Sequence, residues 1–292
     1  SGRICGTMMD RDEFFMTSKP IRRQEKIRAM LLARNVVTLA EFCAELKCSE
    51  STIRNDLKDL DSRGLITRTF GGAVANDNTQ HNISMEARKG LHTEEKRRIA
   101  AYIAAHVLFP GCTVTLDTGT TTAEIAKAIM NAKIPLNVIT DSQAAANVLG
   151  KAPNISLYLT GGRYQPQKDA YIDQTAEQLV LSMRSDIYFL TCNGVNAEDG
   201  FTISDVAEIS IKRSMAQCSK RTICVVDSSK IGRAALKVIF APSQIKTLIT
   251  DWNVIPAEAD ALRAVGIEVI VVPHDMKDEP ESTYEADDDV AR

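Results

Sequence analysis

The sequence predicts two units in one α/β chain. A small N-terminal module of three helices is closed by a β-ribbon, and a larger domain follows in which a mostly parallel sheet carries helices on both faces. Three observations predict this. Residues 20–75 hold short helical patterns broken by tight turns and end on paired glycines. From residue 113 onward, short apolar runs alternate with amphipathic stretches, the pattern of a doubly wound parallel sheet. Between these regions, residues 76–92 are polar and weakly periodic, and read as a linker.

A chain of 292 residues with 44% hydrophobic and 25% charged residues can bury a sizeable core and is a soft prior for two domains. No apolar run approaches the roughly 20 residues needed to span a bilayer. The N-terminal stretch mixes acids among its apolar residues and has no continuous apolar core of a signal peptide. Seven cysteines include no zinc-type spacing, so reduced thiols in a cytoplasmic protein are expected, with no metal and no cofactor. The net charge of −3 hides an asymmetry: residues 20–75 hold ten Lys/Arg against seven Asp/Glu, whereas residues 275–292 hold two against eight. That acidic tail, nearly free of large apolar residues, reads as disordered.

The first helix, about 21–32, places Ile27, Met30 and Leu31 on one face and Arg22, Arg23, Lys26 and Arg28 on the other. Thr38 followed by Glu41 forms a capping box for a short helix over 39–46. Lys47 and Cys48 make a tight turn, Ser49 caps a third helix over 50–62 with Ile53, Leu57 and Leu60 inward, and Gly64 stops it. Residues 65–70 alternate and end at Gly71-Gly72, as a β-ribbon does. Helix, short helix, turn, helix and ribbon is the winged helix-turn-helix order, in which the second helix of the pair enters the major groove of DNA. The side chains positioned to meet double-stranded DNA are Ser49, Ser51, Thr52, Arg54, Asn55 and Lys58, with Arg68 on the wing. Arg and Asn are suited to guanine and adenine edges, and Ser, Thr and Lys to phosphates.

The stretch from RRQEKIRAMLL to TRTFGGAV, above all SESTIRNDLKDLDSRG, closely resembles the DNA-binding domain of the DeoR family of bacterial transcription regulators. Asn55 departs from the family pattern, which usually shows a second Arg there.

In the larger domain a helix starts at Thr93. Strand-like runs follow at 113–117, 136–140, 155–160, 186–192, 222–227, 246–250 and 267–272. Helical patterns lie between them at 123–129, 142–149, 175–183, 206–218 and 257–265. The first unit, VTLDTGTTTAEIAKAI, reads as strand, polar loop and helix. Its loop offers backbone N–H groups at a helix N-terminus, where an anion binds well. Gly119 permits close approach, and Thr120, Thr121 and Thr122 add hydroxyls. Ligands in such sheets bind beyond the carboxyl ends of the strands. The polar groups at those ends are Asp117 with 119–122, Asp141 and Ser142, Gly161 and Gly162, Asn193, and the stretch 227–230 that ends in Lys230.

The same family resemblance runs through residues 93–273 on the motifs DTGTTT, TDS, GGR, NGVNAEDGFT, AEISIKRSM and VDSSKIGR. It implies a sugar-phosphate sensor domain, spanning 93–274, with a fold similar to ribose-5-phosphate isomerase. By that likeness the Thr-rich loop holds the phosphate, Lys212 and Lys230 add positive charge, and Asp117 and Asp141 meet sugar hydroxyls. The family usually has Asn where Asp141 stands, often an acid where Asn193 stands, and commonly Gly where Asp173 stands. The resulting expectation is a sugar-phosphate-controlled DNA-binding regulator, a repressor of a carbohydrate operon, acting as a homodimer or homotetramer. The alternative is a sugar-phosphate isomerase with an accessory DNA-binding module. The loop 192–196 (CNGVN), with amides where the isomerases carry acids, favours a regulator that is not an enzyme. A protein-interaction scaffold fits the basic recognition helix less well, and the four histidines follow no hydrolase motif.

Overall fold

A computed structural model of the chain describes residues 19–75 and 88–275. They fall into two compact units that divide between Leu91 and His92. Most of the expected linker and the acidic tail beyond residue 275 lie outside the described residues.

In the first unit, α1 (Lys19–Arg34) leads through β1 (Val36–Thr38) to α2 (Leu39–Leu46) and α3 (Glu50–Ser62), and then to β2 (Thr67–Thr69) and β3 (Gly72–Val74). The two caps form as the sequence predicts. The Thr38 side chain accepts from the Glu41 N–H while Glu41 reaches back to the Thr38 backbone N–H at 2.8 Å. Ser49 accepts from the Thr52 N–H at 3.4 Å. Lys47 takes the left-handed conformation at φ 52° to close α2, and Gly64, at φ +66°, ends α3. Ile27, Leu31, Phe42, Ile53, Leu57 and Leu60 fill a single small core, each buried side chain contributing about 1.5–3 kcal/mol. The sequence did not signal β1. It pairs antiparallel with β3, so the ribbon is a three-stranded sheet in the order β1-β3-β2.

The second unit opens with α4 (Thr93–His106) and then alternates: β4 (Thr113–Leu116), α5 (Thr120–Ala132), β5 (Leu136–Thr140), α6 (Gln143–Leu149) and β6 (Ile155–Leu159). A small hairpin, β7 (Tyr164–Gln165) and β8 (Ala170–Tyr171), precedes α7 (Gln174–Ser182) and β9 (Ser185–Leu190). Next come β10 (Gly194–Asn196), β11 (Gly200–Ile203), α8 (Ile209–Gln217), β12 (Ser219–Val225), β13 (Lys237–Phe240), β14 (Thr247–Asp251), α9 (Pro256–Ala264) and β15 (Glu268–Val272).

Seven of these strands form one sheet in the order β15-β14-β12-β9-β4-β5-β6, with every neighbouring pair parallel. Alternation along β9 shows why both faces are covered. Ile187 and Phe189 join the core under α4, α5 and α6, while Tyr188 and Leu190 join the one under α7, α8 and α9. Apolar residues on both sides of a strand are what a buried parallel sheet requires. The fold is thus the expected doubly wound α/β sheet, with one addition. β10, β11 and β13 pair antiparallel in a separate sheet: a tight turn joins β10 to β11, and β13 returns to β11 after α8 and β12.

The strand order reverses between β4 and β9. Chain segments that leave adjacent strands there diverge to opposite faces, the point at which sheets of this kind bind ligands. This places the loops after Leu116 and Leu190 side by side.

Candidate functional site

On the first unit, Ser51, Arg54, Asn55 and Lys58 of α3 are exposed, as is Arg68 on the wing, while Thr52 is half-buried. The Ser49 hydroxyl lies 3.0 Å from that of Ser51 and 2.9 Å from that of Thr52, besides capping α3. Arg54 pairs with Glu50 at 3.3 Å on the surface, a contact worth about 0.3–0.5 kcal/mol and easily exchanged for a nucleic-acid partner. The Arg68 backbone N–H donates to Asp61 at 3.0 Å, tying the wing to the end of α3.

The basic face expected on α1 needs correction. Arg22 and Lys26 are exposed, but Arg23 turns inward to the buried Asp56, bonding it through both Nε and Nη2. Arg28 is only 5% exposed, and burial, with the charge of Arg63 adding to it, pulls its guanidinium down to about 10. Helical spacing cannot show that a neighbouring helix supplies a carboxylate, and packing of α1 on α3 does so.

On the second unit, the carboxyl end of β4 carries a dense buried network. One oxygen of Asp117 accepts from the Tyr188 hydroxyl at 2.9 Å, the Thr191 N–H at 2.9 Å and the Lys212 ammonium at 2.5 Å. The other accepts from the Thr191 hydroxyl at 2.9 Å. Lys212, 2% exposed on α8, also donates to the Thr191 carbonyl at 3.2 Å and lies 3.8 Å from Glu208. Burial pulls its pKa down, but Asp117, Glu208 and Asp141 more than offset this and leave it above the ordinary lysine value. Gly119 fits because a Cβ there would lie 2.8 Å from both Cγ2 and Oγ1 of Thr191. The close approach, not the backbone angle, demands glycine.

Asp141, at the end of β5, accepts from the Thr118 hydroxyl at 2.9 Å. Burial and the neighbouring charge of Asp117 push its carboxyl up to about 7, against the opposing pull of Lys212. A carboxyl raised in the folded state stabilises the fold below its unfolded value near 4, and that stability is lost as pH rises to about 7. Asp141→Asn is therefore expected to remove this loss, gaining stability over wild type between pH 5 and 8. Unfolding followed by the fluorescence of Trp252, the one tryptophan of the chain, checks it; equal pH profiles would contradict it.

Farther along the loop, Thr122 is turned inward, its hydroxyl donating to the carbonyls of Asp117 at 2.7 Å and Gly119 at 3.0 Å. Thr121 is buried and Thr120 half-buried. The ammonium of Lys96, reaching from α4, donates to the Thr120 hydroxyl at 3.3 Å. Lys230 follows Asp227 at the end of β12. Burial pushes Asp227 up, but Lys230, the Ser229 hydroxyl, His92 and Lys96 hold it below the usual carboxylate range. Each end of the loop thus carries an ammonium group, Lys212 at Asp117 and Lys96 at Thr120.

The remaining expected site residues have structural tasks. Ser142 caps α6 through the Ala145 N–H at 3.2 Å. Gly161 and Gly162, at φ +64° and +90°, turn the chain into the β7–β8 hairpin. That hairpin is strapped to β5 by the Tyr171 N–H donating to the Asp141 carbonyl at 2.9 Å. Asp173 caps α7 and accepts from the Arg163 N–H at 3.0 Å; a Cβ on Gly162 would meet its carboxylate at 2.3 Å. Asn193 accepts from the Ser204 N–H at 3.0 Å, fixing the start of β10.

Sequence reasoning missed Thr118, Tyr188, Thr191 and Lys96. Thr118 lies inside the motif DTGTTT, which is the signal for it. Thr191 was hidden in an apolar run, Tyr188 reads as core, and Lys96 sits in a helix whose charges look solvated.

A helix-turn-helix module with a wing, in one chain with an α/β domain whose buried polar groups gather at strand ends, defines a DNA-binding regulator that carries its own sensor. The family model for the DeoR-like helix-turn-helix domain matches residues 23–79, and that for the DeoR C terminal sensor domain matches residues 91–252. The chain belongs to the DeoR family of transcription regulators. It is 33% identical to a putative aga operon transcriptional repressor of Escherichia coli O157:H7, over 86% of this chain and 93% of that protein. It is 29% identical to the glycerol-3-phosphate regulon repressor of Escherichia coli K12, over 80% and 91%. Ribose 5-phosphate isomerase A from Neisseria gonorrhoeae is 18% identical over 47% of this chain and 53% of its own, with a TM-score of 0.33, a likeness too slight to inform fold or function. No described helix is long and apolar enough to cross a membrane.

Proposed function

We propose that the protein represses a carbohydrate-use operon by binding operator DNA through α3 and the wing, and that a sugar phosphate controls this binding. The observation that carries the effector reading is the gathering of buried carboxyl and ammonium groups about the loop 117–122, Asp117 and Asp141 with Lys212 at one end and Lys96 on the Thr120 hydroxyl at the other. An ester of a sugar with phosphate has matching halves, hydroxyls that donate to carboxylates and an anion that suits cations and helix N–H groups. The names of the two relatives, one tied to the aga operon and one to glycerol-3-phosphate, agree with this class of effector.

The geometry suits control by rearrangement. Lys212 is held by Asp117, and a ligand that offers hydroxyls to Asp117 or an anion to Lys212 competes for groups already engaged. Ligand affinity then depends on which arrangement the domain adopts, which is what coupling to a second site requires. In a homodimer or homotetramer, such a change would alter the spacing of two recognition helices relative to two half-sites.

The test is fluorescence anisotropy of the full chain on a duplex that it selects from a random pool, at two salt concentrations and with a panel of sugar phosphates. Salt-sensitive, sequence-preferring binding that one sugar phosphate reverses is the expected result. Turnover of a sugar phosphate without DNA binding would instead favour the isomerase reading. On the same duplex, Arg54→Ala is expected to weaken specific binding by about 1–3 kcal/mol. An equal loss on random DNA would make Arg54 a phosphate contact.

A further inference from the structure

The wing ends in Phe70, in the turn between β2 and β3, and its ring is fully exposed. Every other exposed large apolar side chain among the described residues keeps a third or more of its surface covered, the next being Leu236 at 66% exposure. The turn that carries the ring is firmly held. The Gly71 carbonyl accepts from the Leu39 N–H at 2.8 Å, and the Gly72 backbone runs so close to β1 that a Cβ there would lie 2.1 Å from the Val37 carbonyl oxygen. The Arg68 N–H bond to Asp61 fixes the other arm to α3. Thr67, Arg68 and Thr69, just before the ring, are all exposed.

A bare aromatic ring on a stiff β-turn, preceded by a cation and two hydroxyls, is poorly matched to water and well matched to a duplex. The cation and hydroxyls suit phosphates, and an apolar side chain can enter a base step from the minor groove, partly unstacking it. We propose that Phe70 is such a wedge, entering the minor groove beside the site read by α3 and kinking the duplex there. The proposal rests on the DNA-binding reading of the first unit. It assigns specificity to a position that receives no hydrogen bond. Pyrimidine–purine steps unstack most easily, so the operator should carry one where Phe70 enters.

The experiment uses the full chain, the selected duplex and 2-aminopurine placed singly through the region flanking the α3 site. Wild-type protein should brighten one position, or one symmetry-related pair, because unstacked 2-aminopurine is no longer quenched. Phe70→Ala should abolish the brightening at saturating protein and weaken specific binding roughly tenfold, the scale of losing one aromatic contact with a base. Its salt dependence should not change, because the phosphate contacts remain. Phe70→Leu, which keeps an apolar wedge, should retain the brightening, and Arg54→Ala should retain it at saturation. Brightening that persists in Phe70→Ala, no brightened position with wild type, or Phe70→Ala binding within twofold of wild type would each overturn the wedge alone. A change in the number of copies in the DNA-free assembly caused by Phe70→Ala would also overturn it, because the ring would then serve contact between copies. Failure of wild type to select any sequence would overturn the DNA reading and the wedge with it.

Discussion

Lys212→Ala is expected to cost the sensor domain about 3–5 kcal/mol, the penalty for removing one partner of a buried ion pair and stranding the other. Asp117 would keep the donors of Tyr188 and Thr191 but lose the Lys212 ammonium, at a position with 0% exposure. Of marginal domain stabilities near 5–15 kcal/mol that is a large share. Denaturant unfolding followed at Trp252 measures it. Replacing both partners, Asp117→Asn with Lys212→Met, should recover part of the loss, because the Asp117 charge is then removed together with its partner. The reading of this pair as a structural hub would be wrong if Lys212→Ala unfolded within 1 kcal/mol of wild type.

The second large effect concerns the effector. Thr121→Ala combined with Lys230→Ala should lower sugar-phosphate affinity by at least about a hundredfold, since each charge-assisted contact to the anion is worth about 1.5–3 kcal/mol. DNA binding without effector should stay within twofold of wild type, because both residues lie in the second unit. Anisotropy titration with and without the effector separates the two. Survival of the full response would place the phosphate elsewhere, and the Lys96–Thr120 contact would then be the next position to substitute.

Asp141 adds a chemical detail to this site. With its carboxyl near 7, it is close to half-protonated at neutral pH and can either accept or donate toward a ligand hydroxyl. The resemblance leads one to expect Asn at this position, which offers both roles at any pH. Effector affinity in the wild type is therefore expected to vary between pH 6 and 8 in a way that the Asp141→Asn protein does not share.

What the sequence determined by itself was everything written in local chemistry. The capping box at Thr38, the Ser49 cap and the stop at Gly64 set α2 and α3 to the residue, because each is decided by atoms within four positions along the chain. The seven parallel strands were legible because a strand buried on both faces must be apolar throughout and must be followed by a crossover. The strand-end loops with Asp117 and Asp141 could be listed for the same reason. The tertiary structure alone decided which of those polar groups meet. The sequence places Asp117, Tyr188, Thr191 and Lys212 far apart, and only the reversal of strand order between β4 and β9 brings them within hydrogen-bonding distance. It likewise turned Arg23 and Arg28 of α1 inward, where periodicity had put them in solvent. Local spacing fixes which face a side chain occupies, but what stands opposite that face is set by packing between segments distant in the chain.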